Sequence, residues 1–248
     1  MWRPSDREAT MSDNATLPPE VDLDSLFHRL SLFDSVDKLD EAGFQIVRGS
    51  KERVTVVGHP SLPGYLFKKF LRTVKHPYEK QIAKYKRRVE GARSLRAHLD
   101  ALAIHSIVVP RKWLCELPPR FSSGGRPEHI VVVEKYDLLE RDDTKRRYRK
   151  IPRDTVRDLC TIFFAFKGVD FAASNWPFTT GGKIAFIDTG FLSRITDDLS
   201  FRQESYKKYV HKKLLTGKSQ RYAMSLWDEI KERGDLLRGL RGQVLREP

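Results

Sequence analysis

Cysteine is scarce in this chain: only Cys115 and Cys160 occur among 248 residues, and they form no CxxC pair. A disulfide framework and a thiolate zinc site are therefore unsupported, and a reducing, cytoplasmic setting is expected. Long apolar runs are missing too. No stretch approaches the roughly 18 residues needed to cross a bilayer, so no integral membrane segment is expected. The opening MWRPSDREATMSDNATLPPE lacks the apolar core of a signal peptide, so export as an effector would need a route without a classical signal. His98, His105 and His211 show no convergent spacing, which leaves a histidine metal centre without support.

Positive charge is what the chain has in excess. Its 46 Lys and Arg against 33 Asp and Glu give a formal charge of +13, which favours phosphate- or carboxylate-bearing partners. The 40% hydrophobic content suffices for a substantial core. Residues 1–20 are polar and read as a flexible leader. From Val21 to Leu39, Leu23, Leu26, Phe27, Leu30 and Phe33 recur at helical spacing, predicting an amphipathic extension over 21–40 that packs on the domain's edge. Phe44–Val47, Val54–Val57 and Tyr65–Phe70 read as strands of an antiparallel meander. Pro77–Leu102 holds one Gly and no further Pro, and its stripe Val89, Ala92, Leu95, Leu99, Leu102 predicts a long helix. Ile107–Leu114 and Ile130–Tyr136 read as strands four and five of the same sheet. The run ERDDTKRRYRK then connects to Pro152, a first-turn proline for a helix reaching Phe166. The boundary between the two halves falls near Lys135–Leu139, giving units over 41–137 and 138–248. Trp113, Trp176 and Trp227 read as core residues.

The most informative segment is VDFAASNWPFTTGGKIAFIDTGF, residues 169–191. Trp176–Phe178 and Lys183–Ile187 flank Thr179, Thr180, Gly181 and Gly182, a strong hairpin signal. Asp170 and Asn175 stand five apart before it, and Asp188-Thr189-Gly190 follows it. Phosphoryl transfer needs separated metal-binding groups with a base between them, because its catalysis is mostly positioning and charge neutralisation. A loop–hairpin–loop supplies those groups.

Here the chain resembles the protein-kinase-like superfamily, which includes protein kinases, aminoglycoside and choline phosphotransferases and lipopolysaccharide-core sugar kinases. The resemblance runs from about Phe44 to Phe191 and rests on motif order and spacing. It implies an α+β, two-lobed fold with a truncated C-lobe, and an ATP- and Mg2+-dependent kinase acting on a hydroxyl of a protein, sugar or lipid. Asp170 matches the catalytic base, and Asn175 and Asp188 match the metal-binding positions, with Thr189 replacing Phe. YLFKKF resembles the strand carrying the phosphate-pairing lysine. Lys68 is preferred over Lys69 there, with Glu90 as its helix partner and Glu79 as runner-up. IVVVEKYDLL resembles the hinge, so backbone groups near Glu134–Tyr136 would meet adenine. The loop RGSKER has one glycine in place of Gly-x-Gly-x-x-Gly, leaving Ser50 and Lys51 for the phosphates. Lys167-Gly168-Val169 stands where His-Arg precedes the Asp, Ala172 stands in place of a lysine, and no Ala-Pro-Glu follows Asp188.

Other readings of the same residues stay open. Asp170, Asn175 and Asp188 also suit ordinary turn chemistry, Lys68 a solvated strand, and Glu90 a surface ion pair. A pseudokinase binding module would share the motifs. The segments KYKRRVEGARSLR and SYKKYVHKKLLTGKSQRY fit a basic adaptor for nucleic acid or a membrane surface, although such runs are more often solvated helix faces.

Overall fold

The computed structural model describes residues 17–18, 20–48, 54–71, 77–121, 127–167, 173–190, 192–194, 215, 217–226 and 229. In chain order the elements are α1 (Leu23–Leu26), α2 (Val36–Glu41), β1 (Gln45–Arg48), β2 (Val54–Gly58), β3 (Tyr65–Phe70), α3 (Tyr78–Ala101), β4 (Ile107–Val108), β5 (Lys112–Glu116), β6 (His129–Glu134), α4 (Arg141–Tyr148), α5 (Arg153–Ala165), β7 (Phe166–Lys167), β8 (Ile184–Ala185) and β9 (Ser193–Arg194). This is a mixed α+β chain. The described residues divide into two compact units: those up to Val89 with Arg111–Lys135, and Glu90–Pro110 with those from Tyr136 onward.

The first unit is built on a five-stranded sheet in the order β1-β2-β3-β6-β5. Every neighbouring pair is antiparallel. Side chains alternate along β3, so Phe67 and Lys69 share one face while Leu66, Lys68 and Phe70 share the other. The Phe67 face is covered by the N-terminal extension. Phe27 stacks on Phe44 at 5.4 Å, meets Phe67 edge-on at 5.5 Å and lies 5.3 Å from Phe33. Each such pair adds about 0.5–1.5 kcal/mol beyond its buried area.

The extension is not the single helix its spacing predicts. Instead α1, a 3-10 turn at Leu30–Phe33 and α2 follow one another. The reason is capping chemistry. The Asp22 carboxylate accepts from the N–H groups of Asp24 and Ser25, and the Ser35 hydroxyl accepts from that of Lys38 at 3.2 Å, so each starts a separate helix. Breaking the chain there lets Phe27 and Phe33 reach one aromatic cluster. Arg120 fastens the end of α1, donating at 2.7 Å to the carbonyls of Asp24 and Phe27.

The Phe70 face is met by α3, which spans Tyr78–Ala101 as its pattern predicts. Tyr85 is buried there, its ring 5.6 Å from that of Phe70 and its hydroxyl accepting the Phe70 N–H at 2.7 Å. A further expectation needs correcting: Ile107–Leu114 is not one strand of this sheet. Pro110 lacks an N–H and fixes its own backbone, so the ladder stops. Ile107–Val108 becomes β4 of the second unit, and β5 begins afresh at Lys112.

In the second unit β4 pairs in parallel with β8, Ile107 opposite Ile184 and Val108 opposite Ala185. Helix α5 buries Val156, Leu159, Cys160, Ile162 and Phe163 on one side. Pro152 is its N-cap, not a first-turn residue, and Phe166 opens β7. The charged run expected only as a connection is helical: α4 pairs Lys145 with Asp142 at 2.8 Å and Arg146 with Asp143, while Thr144 and Tyr148 turn inward at i, i+4.

Candidate functional site

In the first unit the two neighbouring lysines of β3 have different surroundings. Lys68 lies between Val56 of β2 and Val131 of β6 in the ladder. On its face Val56 and Leu66 are half-buried and Val131 and Val133 are buried, which makes an apolar strip carrying a cation. Lys69 points to the opposite, aromatic face. It is 7% exposed, its Nζ is 2.7 Å from the Glu128 carboxylate, and it sits 5.0 Å above the Phe33 ring. Sequence reasoning missed this ion pair, because Glu128 is remote in the chain and no local pattern links the two.

The two helix glutamates expected near the lysine, Glu90 and Glu79, are both exposed on α3. At about 100° per residue they stand roughly 140° and 120° around the helix from Tyr85, the residue turned to the sheet. Glu134 ends β6, where its carboxylate accepts the Arg111 N–H at 3.1 Å. The N–H of Glu134 is engaged by the Arg111 carbonyl at 3.0 Å and that of Lys135 by the Gly64 carbonyl at 2.8 Å. Both of these N–H groups are thereby engaged within the first unit. Tyr136, half-buried, opens the second unit's share of the chain after β6.

In the second unit the hairpin is present. The Ile187 N–H donates to the Asn175 carbonyl at 3.1 Å, Ala185 to Pro177 at 2.8 Å, and Thr179 to Lys183 at 2.7 Å. Gly182, with φ +86°, closes the turn in a conformation L side chains rarely adopt. An aromatic stack stiffens the arms. Trp176 lies 4.0 Å from Phe186, meets Phe163 edge-on at 5.6 Å, and its carbonyl accepts the buried Tyr148 hydroxyl at 2.8 Å. Both arms are thus fixed immediately next to Asn175, which ends a 3-10 turn at Ala173–Asn175 before the first arm, and Asp188, which follows the second arm.

Asn175 is 8% exposed and Asp188 half-buried. One Asp188 carboxylate oxygen accepts the Gly190 N–H at 3.1 Å, a local turn that orients the group. Thr189 is fully buried against α3. There Gly91 is required by space: a Cβ on it would stand 2.3 Å from the Thr189 carbonyl oxygen and 3.2 Å from the Leu192 Cβ. The helix backbone and the Asp188-Thr189-Gly190 loop therefore touch directly.

The structure brings Asn175 and Asp188 together at the open end of one hairpin. Ser50 and Asp170 lie outside the described residues. Among the described residues no group of three or more His, Cys, Asp or Glu could hold a metal by itself. An amide and a carboxylate suit a hard cation that takes its remaining ligands from water and phosphate, which is the habit of Mg2+. Among the described residues no helix is long and apolar enough to cross a membrane.

No protein-family model matches the chain, and no curated protein matches it. Solved structures do. The complex of Rv3197 with erythromycin from Mycobacterium tuberculosis is 13% identical over 71% of this chain and 53% of that one, with a TM-score of 0.37. WbdD with the kinase inhibitor LY294002 is 11% identical over 76% of this chain and 45% of that one, with a TM-score of 0.39. A 2.2 Å crystal structure of WbdD is 10% identical over 76% and 46%, again at a TM-score of 0.39. The chain spans about half the length of these structures.

Proposed function

We propose that this chain is a two-lobed, kinase-like phosphotransferase with a shortened second lobe, which uses ATP and Mg2+ to phosphorylate a hydroxyl. The observation that most supports this is the stiffened hairpin, which sets Asn175 beside Asp188 and forces Gly91 against the loop after Asp188. A turn used only to reverse the chain needs no such bracing. Asn175 and Asp188 hold the metal, which when bound neutralises the phosphate oxygens. Lys68 pairs with phosphate oxygens, and the strip of Val56 and Leu66 beside it suits a flat ring. Asp170 takes the proton of the acceptor hydroxyl. That oxygen bonds to the γ-phosphorus as the bond from phosphorus to the β–γ bridging oxygen breaks, and ADP leaves with the electron pair.

The test is calorimetric titration with ATP, with and without Mg2+, followed by label transfer from radioactive ATP to a panel of sugars, lipids and proteins. Binding should require Mg2+ and weaken at least tenfold in Asp188→Asn. Asp170→Asn should keep Mg–ATP affinity but lose roughly 10² or more in transfer, the scale of a positioned general base. Equal affinity in wild type and Asp188→Asn rejects the metal site. Tight binding with no transfer to any acceptor identifies a pseudokinase.

A further inference from the structure

The cations from the last turn of α4 to the start of α5 fall into two classes. Lys145 and Arg146 are matched to Asp142 and Asp143. From Arg147 onward the pattern changes: Arg147, Arg149, Lys150 and Arg153 are all exposed, and among the described residues none has a carboxylate partner. Helix electrostatics accounts for part of this, since cations suit a helix C-terminus. It does not account for Arg153, which opens α5 at the end where a cation is disfavoured and rests 5.1 Å over the Tyr222 ring.

This cluster adjoins the turn of the hairpin. The Arg147 guanidinium lies 5.5 Å over the Phe178 ring, and a Cβ on Gly182 would stand 2.6 Å from it. Lys183, also exposed, follows directly. Leu138, 38% exposed, bridges to Thr179 on the same turn. Asn175 and Asp188 stand at the hairpin's other end, about four residues away along each arm, or roughly 13 Å at the rise of a strand. A single small anion cannot reach both ends, whereas an extended one can.

We propose that this surface of the second unit docks an acidic segment of a partner protein. Three arginines present planar forks that match carboxylates, and Leu138 offers an apolar anchor beside them. A single-stranded nucleic acid is less well served, because stacking needs exposed rings: among these cations Tyr148 and Phe178 are 5% and 2% exposed, and the half-buried Tyr222 is already covered by the Arg153 guanidinium. A lipid surface would need an apolar face, and Leu138 is the lone exposed large hydrophobic residue described at this turn. The docking needs no nucleotide, so it stands or falls apart from the phosphoryl-transfer reading.

The experiment measures binding of a fluorescent Glu/Asp dodecapeptide containing one Leu to the full chain without ATP. Arg149→Gln/Lys150→Gln/Arg153→Gln should weaken binding at least tenfold, while Lys145→Gln/Arg146→Gln, which removes cations already paired, should change it less than threefold. Should the triple variant not fold, Arg149→Gln/Lys183→Gln carries the same comparison. Wild-type affinity should fall steeply with added salt. Absence of peptide binding at low salt, or an equal loss in the Lys145/Arg146 variant, overturns the docking surface. Tighter binding through the same residues to single-stranded DNA of matched charge, or to phosphatidylglycerol vesicles, overturns the assignment to a protein partner.

Discussion

The two faces of the central sheet are made from the same strands and finished differently. On the extension face Phe27, Phe33, Phe44 and Phe67 are at most 1% exposed, and Lys69 is locked to Glu128 beneath Phe33. On the α3 face Val56, Leu66 and Lys68 remain half-buried. The lesson is in the neighbouring lysines: one residue's offset along β3 turns a cation from a structural element into a candidate for ligand chemistry. One face is closed by the extension, and on the other these three residues keep partial exposure.

The largest expected effect comes from breaking the closed face. Lys69→Ala removes the buried cation 2.7 Å from the half-buried Glu128 carboxylate, a loss of up to about 3–5 kcal/mol by urea denaturation. Replacing both partners, Lys69→Met with Glu128→Leu, should recover most of it, because a packed apolar pair needs no desolvation of charge. Lys68→Ala should cost at least about 2 kcal/mol less than Lys69→Ala, being half-exposed. Equal losses at the two positions would abolish the distinction between the faces.

Next in size is the helix that meets the open face. Gly91→Ala would ordinarily favour a helix by about 1 kcal/mol. Here the added Cβ lands on the Thr189 carbonyl, so helix or loop must shift, at about 1–3 kcal/mol. Mg–ATP affinity should fall at least tenfold, since the strained contact lies one residue from Asp188. A variant more stable than wild type with unchanged affinity would mean that the loop's contact with α3 is inconsequential.

How much of this was legible in the sequence follows from the range of the forces involved. Local signals read well: the alternation of Tyr65–Phe70, the stripe of α3 and the Gly-rich turn before Lys183 each specify their own element. Alternation also separates Lys68 from Lys69, but which face is closed depends on where Phe27 and Phe33 go, and that is decided by caps at Asp22 and Ser35. Tertiary pairings were invisible, as in Lys69 with Glu128 and Gly91 with Thr189. The split at Pro110 was written in the chain, yet the apolar run around it reads as one strand until β8 is seen to recruit half of it. Helix α4 was hidden because its charges mask Thr144 and Tyr148, although its i, i+3 acid–base pairs were a signal available to reading.

A smaller effect sharpens the comparison on the side of function. Lys68→Ala should weaken Mg–ATP binding about tenfold, near 1.4 kcal/mol, whereas Lys69→Ala should change it less than threefold at a temperature where it is still folded. The two lysines would then exchange rank between the denaturation curve and the binding isotherm. The same order in both measurements would assign Lys68 to the structure alone.

The smallest effect concerns a polar contact between β3 and Glu20, the residue just before the extension, in which the Tyr65 hydroxyl donates to the Glu20 carboxylate. That bond holds Glu20 below its ordinary 4.5 and pushes the Tyr65 phenol up to about 12. The contact needs Glu20 ionised and Tyr65 protonated. Its stabilisation is therefore present above the unfolded carboxyl value and lost as pH falls through the lowered folded value; at the other limit it is present below about 10 and lost as pH rises through about 12. Glu20→Gln removes the charge and should return Tyr65 toward 10, so that at pH 11 the variant shows more phenolate absorbance than wild type near 295 nm. Tyr85 and Tyr148, raised by burial instead, contribute equally to both spectra and cancel. Identical difference spectra would show that the closed face is secured by its aromatic cluster and its ion pair without help from Glu20.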